Sequence, residues 1–210
     1  GGTWQAHNDF GAVHIQLAKE EEEGSENQLK LLEAAKTQLD ISNNKTENAE
    51  AHLNLAAIAA MKYDWNLAYE HVLNAEKLDL SHSKTDMIVS KGTLSIPLGE
   101  YDRAMTILNT IPNNGWGMYR RGVMKVMMGD LAGAKSEMTS LRKYLAEMNI
   151  EEQGGLDYVH AIISAREGNA TGVTSHLKEA LSKDDGDLKE RLVNDVEFLN
   201  YSDAVNAAMN

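Results

Sequence analysis

The chain has 210 residues, 42% of them hydrophobic, and its Ala-, Leu-, Met-, Glu- and Lys-rich mix with only 2 prolines and 2 phenylalanines favours helices over sheets in one large domain or a short solenoid. The absence of cysteine excludes disulfides, thiolate catalysis and cysteine metal sites. A net charge of −12, with Lys and Arg scattered or in short pairs such as Arg120-Arg121 and Arg142-Lys143, excludes the concentrated positive surface that phosphate backbones require.

Four units share one spacing. Small residues Ala56, Gly92, Gly122 and Ala161 are each followed 12 residues on by Ala68, Ala104, Ala134 or Val173, and 7 further by Ala75, Ile111, Leu141 or Ala180. Two antiparallel helices packed closely at a crossing need a small residue on each, and apolar residues recur around these marks at helical intervals, as in Leu53, Ala56 and Ala60. In chain order, the first hairpin is expected over residues 3–40, with Gly11 and Ala35 as its marks. They lie 24 residues apart instead of 19, and the excess falls in the acidic run Lys19 to Glu26, which reads as a lengthened, solvated turn or an extra exposed helical turn. Further hairpins are expected over 48–80, 85–112, 116–147 and 154–183. Their internal turns are Tyr63-Asp64-Trp65, Gly99-Glu100-Tyr101, Gly129-Asp130-Leu131 and Gly168-Asn169-Ala170. A glycine ends a helix in the left-handed conformation, and the acidic or amide residue after it starts the next. Pro97 falls inside a first helix and is expected to bend or break its last turn. A final helix is expected over Asp187 to Leu199, with Leu188, Leu192, Val193, Val196 and Leu199 apolar, and a short one over Tyr201 to Met209. Together, residues 187–209 cap the last apolar face. The expectation is thus a single all-α domain over 1–210, an α-α superhelix of about five hairpins with a C-terminal cap.

Ala51-His52-Leu53-Asn54-Leu55-Ala56, with Tyr63-Asp64-Trp65-Asn66-Leu67-Ala68 and Ala75-Glu76-Lys77-Leu78-Asp79, resembles the tetratricopeptide repeat (TPR) family, and the next units keep Gly92 with Gly99-Glu100-Tyr101-Asp102-Arg103-Ala104 and Gly122 with Gly129-Asp130-Leu131-Ala132-Gly133-Ala134. The resemblance covers about residues 3–183. It departs from the family in lacking the proline that often closes a unit, and in uneven mark-to-mark lengths of 36, 30 and 39 residues. The stretch from Leu156-Asp157-Tyr158-Val159-His160-Ala161 to Asn194-Asp195-Val196-Glu197-Phe198 is similar to the end of TPR regions in Gram-negative envelope proteins, some of which carry an OmpA-like module. That implies a periplasmic or outer-membrane-associated setting, the alternative being cytoplasmic.

No catalytic motif stands out: the seven histidines show no HExxH spacing, and P-loop and nucleophile-elbow patterns are absent. His7 and His14, seven apart, share a helical face but do not by themselves make a metal site. No cofactor, metal, catalytic residue or nucleic-acid partner is expected. No apolar stretch approaches the ~18–20 residues that span a bilayer, so direct membrane insertion is not expected. No signal-peptide pattern stands at the amino end, where Gly1 reads as the remnant of a tag. In TPR proteins the first helix of each unit lines the concave face. By that register Asn8, Gln16, Tyr119, Met127, Tyr158 and Arg166 are the candidate binding residues for a protein or peptide partner. Asn8 matches one element of the carboxylate clamp of some chaperone-binding TPRs, but the accompanying Lys and Arg are missing. The acidic surface points to a neutral or basic partner. The resemblance implies a non-catalytic scaffold. Its alternatives are a structural spacer within a larger envelope protein and a small-ligand-binding or hydrolytic protein.

Overall fold

The computed structural model describes residues 2–78, 84–147, 150–184 and 187–210. Twelve α-helices and no strand occur among the described residues: α1 (Trp4–Lys19), α2 (Glu26–Lys45), α3 (Ala49–Met61), α4 (Trp65–Leu78), α5 (Lys84–Ser95), α6 (Tyr101–Leu108), α7 (Gly115–Met127), α8 (Leu131–Leu141), α9 (Ile150–Arg166), α10 (Ala170–Leu181), α11 (Asp187–Asn194) and α12 (Ser202–Met209). Asp79, the expected hairpin boundary at residue 80, His82 and Asp185 lie outside the described residues. Consecutive helices pack as five hairpins, from α1 with α2 to α9 with α10, and α12 packs on α10 as a cap. The chain divides into two compact units, Gly1–Thr110 and Ile111–Asn210.

The hairpins repeat down to individual hydrogen bonds. At the end of the first helix in hairpins two to five a residue with positive φ closes the turn: Tyr63 at 60°, Gly99 at 75°, Gly129 at 81° and Gly168 at 78°. The next residue donates its N–H back across the turn in all four units: Asp64 to Ala59 O (2.9 Å), Glu100 to Ser95 O (3.0 Å), Asp130 to Lys125 O (2.8 Å) and Asn169 to Ser164 O (2.8 Å). This is the paired closure that satisfies a helix's last carbonyls. The same residue then opens the second helix in three units. Asp64 accepts from Leu67 N (3.1 Å), Asp130 from Gly133 N (2.9 Å) and Asn169 from Gly172 N (2.9 Å). Thr3, Ser25, Asn48 and Asn114 cap α1, α2, α3 and α7 in the same way. Each such cap stabilises by about 1 kcal/mol.

Small residues hold the helices of a hairpin close. A methyl group placed on Gly11 would stand 2.6 Å from Leu39 Cγ, one on Gly92 2.6 Å from Leu108 Cγ, and one on Gly122 1.8 Å from Met138 Cε. Ala68, Ala104, Ala134 and Val173 are fully buried at the facing marks. In the first unit Leu32, Leu39, Leu55 and Ile58 fill the core between the first two hairpins. In the second, Met138, Leu141, Leu156 and Ile163 join hairpins four and five, while Leu177, Leu192 and Phe198 join hairpin five to the cap.

Two local features differ from the sequence reading. The helix expected over 187–199 stops at Asn194, and Val196–Tyr201 continues as a 3-10 turn. Asp195 has extended backbone angles (φ −73°, ψ 119°) and caps that turn by accepting from Glu197 N at 2.9 Å. The break leaves Leu188, Leu192 and Phe198 buried but Val193, Val196 and Leu199 exposed. Pro97 stands beyond the end of α5, in the turn that precedes α6. The acidic stretch after α1 forms the turn that leads to Ser25, with Gly24 at φ 74°.

Candidate functional site

The second unit contains an open cavity of about 340 Å³ walled by α7, α9, the end of α10 and α11. Its polar rim carries Tyr119 from α7, Tyr158 from α9 and Arg191 from α11, while Val123, Ile162 and Leu188 form the apolar wall. Gly154 and Gly155 expose α9 backbone along one side. A methyl group on Gly155 would meet only Tyr119 Oη, at 3.3 Å. Burial raises the Tyr119 hydroxyl above its ordinary value, against the opposing fields of Arg120 and Arg191. Burial also raises Tyr158, helped by its hydrogen bond to the Asp195 carboxylate. Both tyrosines therefore remain neutral hydroxyls at physiological pH. Phe198 stands edge-on to Tyr158, centroids 5.8 Å apart, and Trp116 edge-on to Tyr119 at 6.2 Å. These contacts fix the two rings before any ligand arrives, a favourable starting point for binding.

Of the six candidate residues, Tyr119 and Tyr158 come together at this cavity. Arg166 holds Val126 O and pairs with Glu197, with Nε 2.9 Å from Oε2, so it ties the end of α7 to the cap region. Met127 is 50% exposed near the end of α7 and does not line the cavity. Gln16 is exposed on α1 in the first unit. Asn8 is buried between α1 and α3, donating to Glu50 Oε2 (3.3 Å) and accepting from Asn54 Nδ2 (3.1 Å). His7 bonds Gln38 and His14 bonds Phe10 O, so they engage separate partners. Among the described residues, no three metal-ligating side chains converge and no helix is long and apolar enough to cross a membrane.

No family model matches the chain, and no curated protein is significantly similar to it. Among solved structures, the chain is similar to that reported as "Crystal structure of YrrB: a TPR protein with an unusual peptide-binding site", with a TM-score of 0.50 and 16% identity over 83% of this chain and 87% of that one. The fold is of the TPR type. Tandem helical hairpins, the shared turn and the small-residue crossings are the local causes of that TPR likeness.

Several residues of this TPR fold escape the repeat register. Arg191 sits three positions after Leu188 on α11, so the helical period places it on the side of the cavity, but a cap outside the repeats attracts no such attention in the sequence. Arg121 is 3% exposed and grips Glu137 with two bonds, Nε–Oε1 at 3.0 Å and Nη2–Oε2 at 3.1 Å, while Nη2 also donates to Pro112 O at 3.0 Å. Lys125 adds a third bond to Glu137 at 3.0 Å. Burial alone would raise the Glu137 carboxyl, but these donors hold it below its ordinary value. Two histidine pairs bridge the two helices of a hairpin, His52 on α3 with His71 on α4 (Nδ1 to Nδ1, 3.0 Å) and His160 on α9 stacked on His176 on α10 (centroids 5.1 Å). Their spacing of 19 and 16 residues matches no ligand motif, and only the hairpin geometry brings them together.

Proposed function

We propose that the chain is a non-catalytic protein-interaction scaffold that holds a peptide or protein segment in the cavity between α7, α9 and α11 of its second unit. The observation that carries this reading is the pairing of Tyr119 and Tyr158, half-buried on two first helices, over one apolar opening of about 340 Å³. That volume lies at the low end for ligand pockets and suits one or two side chains rather than a whole small-molecule substrate. Tyrosine brings broad contact area with few rotamers to freeze, which makes it a frequent anchor in interfaces. A solved structure with a similar fold is described as a TPR protein with a peptide-binding site, which supports a ligand of the same kind for this chain. The resemblance of residues 156–198 to TPR regions of envelope proteins supports an assembly at a bacterial cell envelope, periplasmic or outer-membrane-associated, as the setting.

The test uses the immobilised chain and a solubilised Gram-negative envelope fraction. Wild type is expected to retain a defined set of partners. Tyr119→Ala/Tyr158→Ala is expected to lose them while keeping its helical circular dichroism. A folded double variant that recovers the same partners at the same yield overturns the cavity as the binding site. Partners recovered only from a cytoplasmic fraction overturn the envelope setting.

A further inference from the structure

We infer that the cavity selects an acidic peptide segment, seating a carboxylate against Arg191 with the adjoining apolar side chain on Val123, Ile162 and Leu188. This rests on the reading of the cavity as a peptide site and adds its chemical preference. The argument starts from charge at the scale of contact. Among the described residues, four carboxylates around the opening are already engaged. Asp157 pairs with Lys183, and Asp195 accepts the Tyr158 hydroxyl. Glu197 pairs with Arg166, and Asp184 accepts from Leu188 N at 2.9 Å. Two guanidinium groups, Arg191 on the lining and Arg120 beside the lining residue Tyr119, are not neutralised in this way. Arg191 lies over the Tyr158 ring, 5.6 Å from its centroid, and Arg120 over the Tyr119 ring at 5.7 Å. Among the described residues neither has a carboxylate partner, and Arg120 Nε is buried with no hydrogen-bond acceptor.

An arginine held by an aromatic face keeps its N–H edge available, and that planar edge matches a carboxylate with two parallel bonds. Arg191 therefore offers the cavity a preset fork. Tyr119 Oη, facing the bare backbone of Gly155, can add a third donor. The fields of both arginines reach Tyr119, where each favours negative charge. The second unit is also the less acidic of the two. Residues 111–210 carry 11 Lys and Arg against 15 Asp and Glu, whereas residues 1–110 carry 9 against 17. The net charge of −12 had pointed to a neutral or basic partner, but over a screening length of about 8–10 Å the groups lining the opening outweigh distant ones.

Isothermal titration of the full chain with three acetylated five-residue probes tests the inference. The first alternates leucine with glutamate and is amidated. The second replaces both glutamates by glutamine. The third is the glutamine peptide with a free C-terminal carboxylate. The glutamate peptide is expected to bind at least tenfold more tightly than the amidated glutamine peptide, and Arg191→Gln to bring the two to the same affinity. Arg191→Lys keeps the charge but not the fork, and is expected to restore only part of the difference. A tight third probe identifies a terminal carboxylate as the group recognised, and a weak one a side-chain carboxylate. Equal binding of glutamate and glutamine peptides by wild type overturns the acidic preference while leaving the cavity as a peptide site. Failure of all three probes to bind folded wild type overturns the preference together with the reading on which it rests.

Discussion

Tyr63 occupies the left-handed turn position that glycine fills in the three later units, and it does so with a φ of 60°. A side chain in that region costs about 1–2 kcal/mol because Cβ crowds the following carbonyl. Glycine would remove the strain but lose about 0.4–1 kcal/mol through the greater freedom of the unfolded chain. Tyr63 also makes an edge contact with Trp65, centroids 5.6 Å apart, although its side chain is mostly exposed. The balance favours glycine. Tyr63→Gly is expected to stabilise the chain by roughly 0.5 kcal/mol, and Gly129→Ala to destabilise it by about 1 kcal/mol. Urea unfolding of both variants measures the pair. A loss of stability in Tyr63→Gly would mean that the Trp65 contact outweighs backbone strain. This turn was legible in the sequence because its chemistry is local: the residue that needs positive φ and the one that caps the next helix are adjacent.

The helices themselves were legible for a related reason. Gly122 and Ala134 are 12 residues apart and face each other only if an antiparallel hairpin forms, so the spacing carries the packing. The added methyl group at Gly122 would come within 1.8 Å of Met138 Cε, and Met138 is fully buried with little room to retreat. Gly122→Leu is expected to destabilise by about 1–3 kcal/mol or more, the usual cost of overpacking. Thermal unfolding checks it, and an unchanged midpoint would show that α7 and α8 can separate without loss. The break after α11 was not legible, because its cause is not local. Asp195 stops the helix while accepting from Tyr158, 37 residues earlier, and apolar spacing alone continued the pattern through Val196 to Leu199. The candidate site divides along the same line. Register found Tyr119 and Tyr158 on the repeated helices. It did not find Arg191, whose place depends on how the cap folds back on α9, nor did it show that Arg166 would already be engaged with Glu197 and Val126.

Across the whole molecule, acid stability depends on histidines that the fold keeps neutral. Each unit has one bridging pair, and burial lowers His71, His160 and His176 below their ordinary value. His160 is lowered furthest, to about 4, by burial first and then by His176 and Arg142, with Lys135 acting in the same direction and Asp157 opposing. Glu179 likewise opposes the shift at His176. His160 Nε2 is buried without an acceptor, so a proton there would gain a charge and no partner. The unfolded chain binds that proton near pH 6.5, whereas the folded chain resists it until about pH 4. Stability from this group is therefore complete above pH 6.5 and declines as pH falls between those values, by about 3 kcal/mol in all. Glu137 behaves differently. Its carboxyl is lowered from 4.5, so its contribution is lost only at still lower pH, as its bonds to Arg121 and Lys125 are protonated away. The two windows separate the causes. Urea unfolding of wild type is expected to show little change from pH 7.5 to 6.5 and a steady loss of stability from there to pH 4.5, and His160→Gln a distinctly flatter profile over the lower range. Identical slopes for the two proteins would remove His160 as the source and leave His71 and His176 to account for the loss.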